Sequence, residues 1–262
     1  MKQMNVAPQQ TECKCCFGMS RLSGVVDFSK SCADRGSPNR IEACLGVPVY
    51  YFRCDECGFV FTRAMDNWTS GDFASFIYND DYVRHDPDFL GKRPRDNASL
   101  IIRNFPDLAK ENMLDFGSGL GLLEKELKAQ GFASVDSYDP YARGQNKLAE
   151  LAPSYKTVVS FEVFEHHPQP HELMSNLKRF LAEEGTILFS TLLINDSVMS
   201  KGIENWWYCA PRNGHISLFT PKALVALGQR HGLKLSSFGE GLHFFHNGQI
   251  PDWARKFRRT DH

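Results

Sequence analysis

The chain has 262 residues, 42% hydrophobic and 23% charged, with 30 basic against 31 acidic side chains. A charge balance this close to neutral argues against a large electropositive face for nucleic acid. The length allows a core that needs no disulfides for stability.

The first ten residues, "MKQMNVAPQQ", lack the apolar centre of a secretion signal. The longest apolar run, "TILFSTLLI" (186–194), falls short of the roughly 20 residues that cross a bilayer. The expectation is a cytoplasmic protein without a membrane span, whose eight cysteines stay reduced.

Residues 1–66 read as a cysteine-rich segment. "CKCC" (13–16) and "CDECG" (54–58) are CxxC knuckles, in which two thiolates point at one ion and Gly58 relieves the tight turn. Two knuckles make a tetrahedral all-thiolate site with no open position, so the expected ligands Cys13, Cys16, Cys54 and Cys57 hold a structural zinc rather than a catalytic one. The long gap between the knuckles requires a hairpin, with "VPVYYFRC" (47–54) and "GFVFT" (58–62) as its strands. Cys15, Cys32 and Cys44 are spare, and each is an alternative ligand. Cys209 reads as a buried small apolar side chain.

Residues 67–111 form an aromatic, acidic connector that turns helical around Asn97–Phe105. Phe73, Phe76, Ile77, Tyr78 and Tyr82 are placed to cover the entrance to the following domain.

From 112 to 262 strand-like and helix-like segments alternate. The strands are "MLDFG", "FASVDSYD", "KTVVSFE" and "TILFSTLLI". The helices are "LLEKELKAQG", "RGQNKLAEL", "PHELMSNLKRFLAEEG" and "TPKALVALGQRHG", the last with Thr220 as N-cap and Pro221 at its first position. "LKLSSFG" and "LHFFHNG" close the domain as a hairpin, and Arg255, Lys256, Arg258 and Arg259 read as a solvated face. Such alternation predicts an α/β fold, a doubly wound and mostly parallel sheet that binds ligands beyond the carboxyl ends of its strands.

The glycine turn "DFGSGLG" (115–121) follows the first of these strands. It lacks the Lys-Ser/Thr of a phosphate loop and the third-glycine spacing of a dinucleotide fingerprint. Asp115, just ahead of Gly117, Ser118, Gly119 and Gly121, would repel a pyrophosphate and suits a ligand with a positive end. S-adenosylmethionine, which carries an ammonium and a sulfonium and no phosphate, fits. Glycines let the backbone approach such a ligand closely. Asp139, 20 residues after Gly119 and followed by Pro140, is placed to hold the ribose hydroxyls. Phe161 and Glu162 at the end of "KTVVSFE" complete the expected cofactor set.

Taken together, these segments resemble the class I S-adenosylmethionine-dependent methyltransferases. "LDFGSGLG" is similar to their first motif, "YDP" to their ribose-binding acid, "VVSFEVFEHHPQP" to the segment spanning and following their fourth strand, and "EGTILFSTLL" to their fifth strand. The two knuckles followed by "IYNDDYVRHDP", together with "WWYCAPRNGHISLFTPKAL", resemble a bacterial subgroup with an attached zinc-binding segment. The resemblance implies a Rossmann-like methyltransferase fold, and carbohydrate modification at a hydroxyl of a sugar or surface-polysaccharide precursor, or of another small molecule. The alternatives are an RNA or protein methyltransferase gripping its substrate with the zinc segment, and a non-catalytic binding protein. One departure stands out. Only residues 140–155 separate the second strand from the next, so the family's third strand is expected to be reduced, or adenine to be held by apolar contacts.

A hydroxyl acceptor calls for a base, and histidine is the usual choice near neutral pH. The expected catalytic residues are His166, beyond the strand "KTVVSFE", and His215, in the long loop after "TILFSTLLI". His167 and the aromatic cluster Trp206, Trp207 and Tyr208 are expected to contact the acceptor.

Overall fold

The computed structural model describes residues 9–35, 40–139 and 154–255. The segment at 143–151 expected to be helical, Pro140, and the basic residues Lys256, Arg258 and Arg259 lie outside the described residues.

Four antiparallel strands open the chain: β1 (Gln10–Glu12), β2 (Met19–Asp27), β3 (Pro48–Cys54) and β4 (Val60–Thr62). The hairpin expected from the cysteine spacing is β3–β4, with Phe52 opposite Phe61. The connector holds α1 (Ser70–Phe76), α2 (Tyr82–His85) and α3 (Lys92–Asn104). Thr69 and Asp72 form a reciprocal capping box on α1. The helix expected from Asn97 already begins at Lys92.

The second half contains β5 (Met113–Phe116), α4 (Leu122–Ala129), β6 (Val135–Tyr138), β7 (Tyr155–Ser160), α5 (Pro170–Phe180), β8 (Leu181–Ser190) and α6 (Asp196–Ser200). It ends with β9 (Ser217–Leu218), α7 (Pro221–Arg230), β10 (Lys234–Ser237), β11 (Leu242–His246) and α8 (Asp252–Arg255). As expected, Thr220 caps α7 by accepting from the Ala223 amide, ahead of Pro221.

The helix drawn through "LAEEG" stops at Phe180, because Leu181 turns to extended backbone and pairs beside Tyr155 of β7. The following strand therefore begins five residues earlier than the apolar run suggested and ends at Ser190.

The large sheet runs β10-β11-β8-β7-β5-β6. β6, β5, β7 and β8 are mutually parallel, β11 is reversed, and β10 is reversed again, so β11 alone opposes the others. From β5 the chain moves outward to β6, then returns to the other side of β5 for β7. The order reverses at that point, which in a doubly wound sheet marks the ligand crevice beyond the carboxyl ends of β5 and β7. Among the described residues no strand lies outside β6.

The small sheet is not a separate unit. Its order is β1-β2-β3-β4-β9, and β9 comes from the loop before α7, with Val60 opposite Leu218. One apolar cluster contains Cys13, Phe52, Phe59 and Phe61 together with Leu114, Val158, Phe189 and Leu224. Phe59 packs on Phe219 with ring centroids 4.7 Å apart, and Phe164 stacks on Phe189 at 4.2 Å. Among the described residues no helix is long and apolar enough to cross a membrane.

Candidate functional site

The glycine turn leaves β5 at the crevice, as its position in the sequence requires. Gly117, Gly119 and Gly121 all have positive φ, at 79°, 55° and 67°, a region that L side chains rarely enter. At Gly117 the constraint is also steric: a Cβ would stand 2.4 Å from Cγ2 of Val163. The loops after β5 and β7 therefore touch through a position that admits only hydrogen. The Gly117 amide donates to the Tyr138 carbonyl at 2.8 Å, hooking the turn to the end of β6.

Asp139 reaches back across this turn, and its Oδ2 accepts from the Gly119 amide at 2.8 Å. The two acids picked out on either side of the glycines are thus brought together on one turn. Asp115 is buried at the end of β5, and no described residue donates a hydrogen bond to its carboxylate. Burial first, then the charges of Asp139 and Glu124, push its pKa up to about 8. Ser118 Oγ is buried and makes no hydrogen bond.

The loop after β7 carries a second set of groups. Glu162 has a φ of 55°, unusual for a residue with a side chain. Ser190 at the end of β8 holds it there: the Glu162 amide donates to Ser190 Oγ, which donates to Glu162 Oε1, both at 2.8 Å. Phe161 is buried in a core cluster with Val159 and Leu188.

A 3-10 turn then presents Glu165 and His166. Glu165 is fully buried, and Tyr208 Oη donates to its Oε1 at 2.6 Å. Burial and the neighbouring Glu162 raise the pKa of Glu165 to about 8. The ring of His166 lies 4.8 Å from that of His215, so the two histidines expected to be catalytic do meet. His215 Nδ1 donates to the Tyr208 carbonyl at 2.7 Å, which leaves Nε2 as its available nitrogen. Burial lowers both imidazoles, His166 well below its ordinary value and His215 to about 4.

The other residues expected to contact the acceptor have these surroundings within the protein. His167 turns away from His166, and its Nδ1 accepts from the Gln169 amide. Trp206 packs in a core cluster with Val26, Val49 and Tyr51, and Trp207 lies under Arg35 at 4.7 Å. Tyr208 is at the cluster, but its hydroxyl is held between Glu165 and the Leu192 amide.

Two aromatic residues of the connector come close to these groups. Tyr78 lies 6.2 Å from the His166 ring, and a Cβ on Gly119 would stand 3.7 Å from Phe89. Arg93, paired with Asp86 at 2.7 Å, places its charge near Glu162 and His166. Sequence reasoning missed Glu165, Phe89 and Arg93. The available signal for Glu165 was its spacing, three residues after Glu162 and directly before His166.

At the opposite side of the shared core the four expected thiols converge. Cys13 and Cys57 sulfurs are 3.7 Å apart, Cys16 and Cys54 sulfurs 3.4 Å, and all four lie within 4.8 Å of one another. Sulfurs on a tetrahedral zinc at about 2.3 Å stand about 3.8 Å from each other, which matches this spacing. Backbone amides of Cys15 and Glu56 donate to the Cys13 and Cys54 sulfurs, the knuckle pattern twice over. The left-handed residue after each knuckle is Gly58 in one and Phe17 in the other. The spare cysteines are accounted for: Cys15 donates to the Ala223 carbonyl, Cys44 to Asp27, and Cys32 lies beside His215.

A family model described as a methyltransferase domain matches residues 89–237. The chain is 26% identical over 140 residues to the ubiquinone biosynthesis O-methyltransferase of Rickettsia canadensis (strain McKiel), an alignment covering 44% of this chain and 58% of that one. The chain thus spans little more than half the length of that curated relative. Among solved structures, the SAH-bound form of CalO1, a methyltransferase in calicheamicin biosynthesis, is 16% identical over 66% of this chain and 62% of its own, with a TM-score of 0.46. The magnesium protoporphyrin IX methyltransferase of Synechocystis PCC 6803, with bound SAH, is 18% identical over 70% of this chain and 95% of its own, with a TM-score of 0.41.

Asp115 provides a test of the site's electrostatics. Its folded-state pKa lies above the unfolded value, so the folded chain binds the extra proton between roughly pH 4 and pH 8, and this group erodes stability as pH rises through that window. In Asp115→Asn the erosion is removed. The melting temperature of the variant relative to the native chain is expected to climb steadily from about pH 5 to about pH 8. A pH-independent difference contradicts the assignment.

Proposed function

This chain belongs to the methyltransferase-domain family, whose model spans residues 89–237, and from that premise we propose that it transfers a methyl group from S-adenosylmethionine to a hydroxyl of a small molecule or carbohydrate. The observation that carries the reading is the glycine turn at the β5–β7 crevice, set between the buried Asp115 and Asp139, whose carboxylate is tied to the Gly119 amide. A buried carboxylate with no cation beside it among the described residues favours a ligand that brings one, and the ammonium of S-adenosylmethionine is such a group. The unpartnered Ser118 Oγ is one further polar atom that a ligand on this turn would satisfy. These features fit the donor, with Asp139 toward the ribose and Asp115 toward the amino-acid end.

When bound, S-adenosylmethionine supplies a methyl carbon made electrophilic by the sulfonium; its C–S bond breaks as the acceptor oxygen attacks, and sulfur keeps the electron pair. The protein's share is to orient the acceptor, exclude water and remove the acceptor's proton. Tyr78 and Phe89 form the cover, and the Glu165, His166 and His215 cluster is the acceptor end, with both imidazoles held neutral by burial. The near-neutral charge of the chain supports a small acceptor over a nucleic acid.

The thiol cluster is assigned a structural zinc, supported by the sulfur spacing and the amide donors at each knuckle. Four thiolates require a reducing compartment, which supports a cytoplasmic location. The three regions 1–66, 67–111 and 112–262 are read as zinc segment, cover and catalytic domain.

Calorimetry with S-adenosylmethionine and S-adenosylhomocysteine tests the donor reading. Binding at about micromolar Kd, weakened at least tenfold in Asp139→Ala, is expected, a loss of about 1.4 kcal/mol or more. A folded protein that binds neither compound overturns it. For the zinc assignment, metal analysis should give one zinc per chain more in the native protein than in a Cys16→Ser, Cys54→Ser variant. Stripping that zinc should lower the melting temperature, because the knuckles share the main core. Equal zinc in both proteins rules it out.

A further inference from the structure

We propose that Glu165, His166 and His215 bind a second, divalent transition-metal ion at the acceptor end of the crevice, separate from the thiolate site. One donor atom from each residue lies within 4.8 Å of the other two. Two imidazoles and one carboxylate are the donor set of open, three-ligand sites, in which the remaining positions are left for water or substrate.

The surroundings are those of a metal site already oriented. Metal-binding histidines characteristically donate their other ring nitrogen to a carbonyl or carboxylate, which fixes the ring. His215 does so, giving Nδ1–H to the Tyr208 carbonyl and keeping Nε2 available. The same Tyr208 gives its hydroxyl to Glu165 Oε1, and among the described residues Oε2 makes no close hydrogen bond, the Thr191 hydroxyl being the other polar group beside this carboxylate. Glu165 is fully buried, so a bare carboxylate oxygen there is costly unless something neutralises it. His166 Nδ1 faces the backbone at Gly214, and its Nε2 stands 4.0 Å from Glu165 Oε1. Arg93 does not fill the role of counter-cation, because its guanidinium is spent on Asp86.

Donors on a tetrahedral ion at about 2.1 Å stand about 3.4 Å apart, so the cluster closes slightly on binding, within reach of side-chain rotation.

The site deepens the methyl-transfer reading without depending on it for metal binding. A divalent ion lowers the pKa of a hydroxyl bound to it, so the acceptor's proton can pass to solvent before the oxygen attacks. A hydroxyl flanked by a second oxygen, as in a catechol or a vicinal diol, would chelate such an ion.

Cobalt(II) is the probe. Native protein, with its thiolate site filled by zinc and confirmed at one zinc per chain, is titrated with Co²⁺ and read by visible absorption. One equivalent is expected to bind with d–d bands and without the intense thiolate-to-cobalt charge transfer that substitution at the cysteines would give. Glu165→Gln and His215→Asn should abolish the bands, the asparagine retaining a donor toward the Tyr208 carbonyl. Tyr208→Phe, which removes only the hydroxyl that orients Glu165, should weaken binding by about tenfold to a hundredfold. Absence of d–d bands in the native protein, or bands unchanged in both ligand variants, overturns the proposal. Calorimetry with S-adenosylhomocysteine on the same samples separates the two readings: donor binding without a cobalt site sinks the metal and leaves the methyltransferase standing.

Discussion

A methyl group at residue 117 has nowhere to go. The Cβ position would stand 2.4 Å from Val163 Cγ2, well short of carbon–carbon contact distance, so the loops leaving β5 and β7 can close on each other only because residue 117 is glycine. Everything at the crevice follows from that contact. It holds the glycine turn beside the loop that carries Glu162, Glu165 and His166, and so brings the expected donor end and the expected acceptor end to one opening. Asp139 completes the turn from β6, accepting from the Gly119 amide across it. A parallel sheet that reverses its order at β5 provides the crevice, and the glycine lets its two walls meet.

The cysteine-rich segment contributes to the same framework. Its last strand pairs with β9, drawn from the loop that also carries Tyr208 and His215. Lys14, buried inside the first knuckle, donates to the Thr62 carbonyl at 2.8 Å and to the Pro168 carbonyl at 3.0 Å, and pairs with Asp66. One side chain thus joins the knuckle, β4 and the end of the loop after β7. Tyr51 on β3 donates to the His215 carbonyl at 2.8 Å. A structural ion at the knuckles would accordingly stiffen the acceptor end at a distance, through packed strands and hydrogen bonds.

Legibility in the sequence followed the range of the interactions. The glycine turn, Asp115 and the four thiols were readable, because each depends on spacing within a few residues or on a metal's fixed demand for donors. Asp139 was readable because a strand and a helix of ordinary length separate it from the glycines. Glu165 was not: its burial and its bond to Tyr208 span 43 residues and depend on a 3-10 turn that periodicity does not mark. Phe89 and Arg93 reach the crevice only because the connector folds back over it. Trp206 is the opposite case. Adjacent aromatics in a loop suggested a binding face, whereas the first small sheet buries that tryptophan against Val26 and Val49. The helix drawn through "LAEEG" overran because a strand pairing beside Tyr155 outweighed good local helix formers.

The central claim is that the turn at 117–121 holds a phosphate-free, cationic donor between two carboxylates. A crystal structure of the protein grown with S-adenosylhomocysteine addresses it most directly. The expected result is the ligand lying along the glycine turn, its ribose hydroxyls on Asp139 and its ammonium directed to Asp115, with the cover of Tyr78 and Phe89 over it. A ligand seated elsewhere, or a glycine turn left bare at saturating ligand, would contradict the claim.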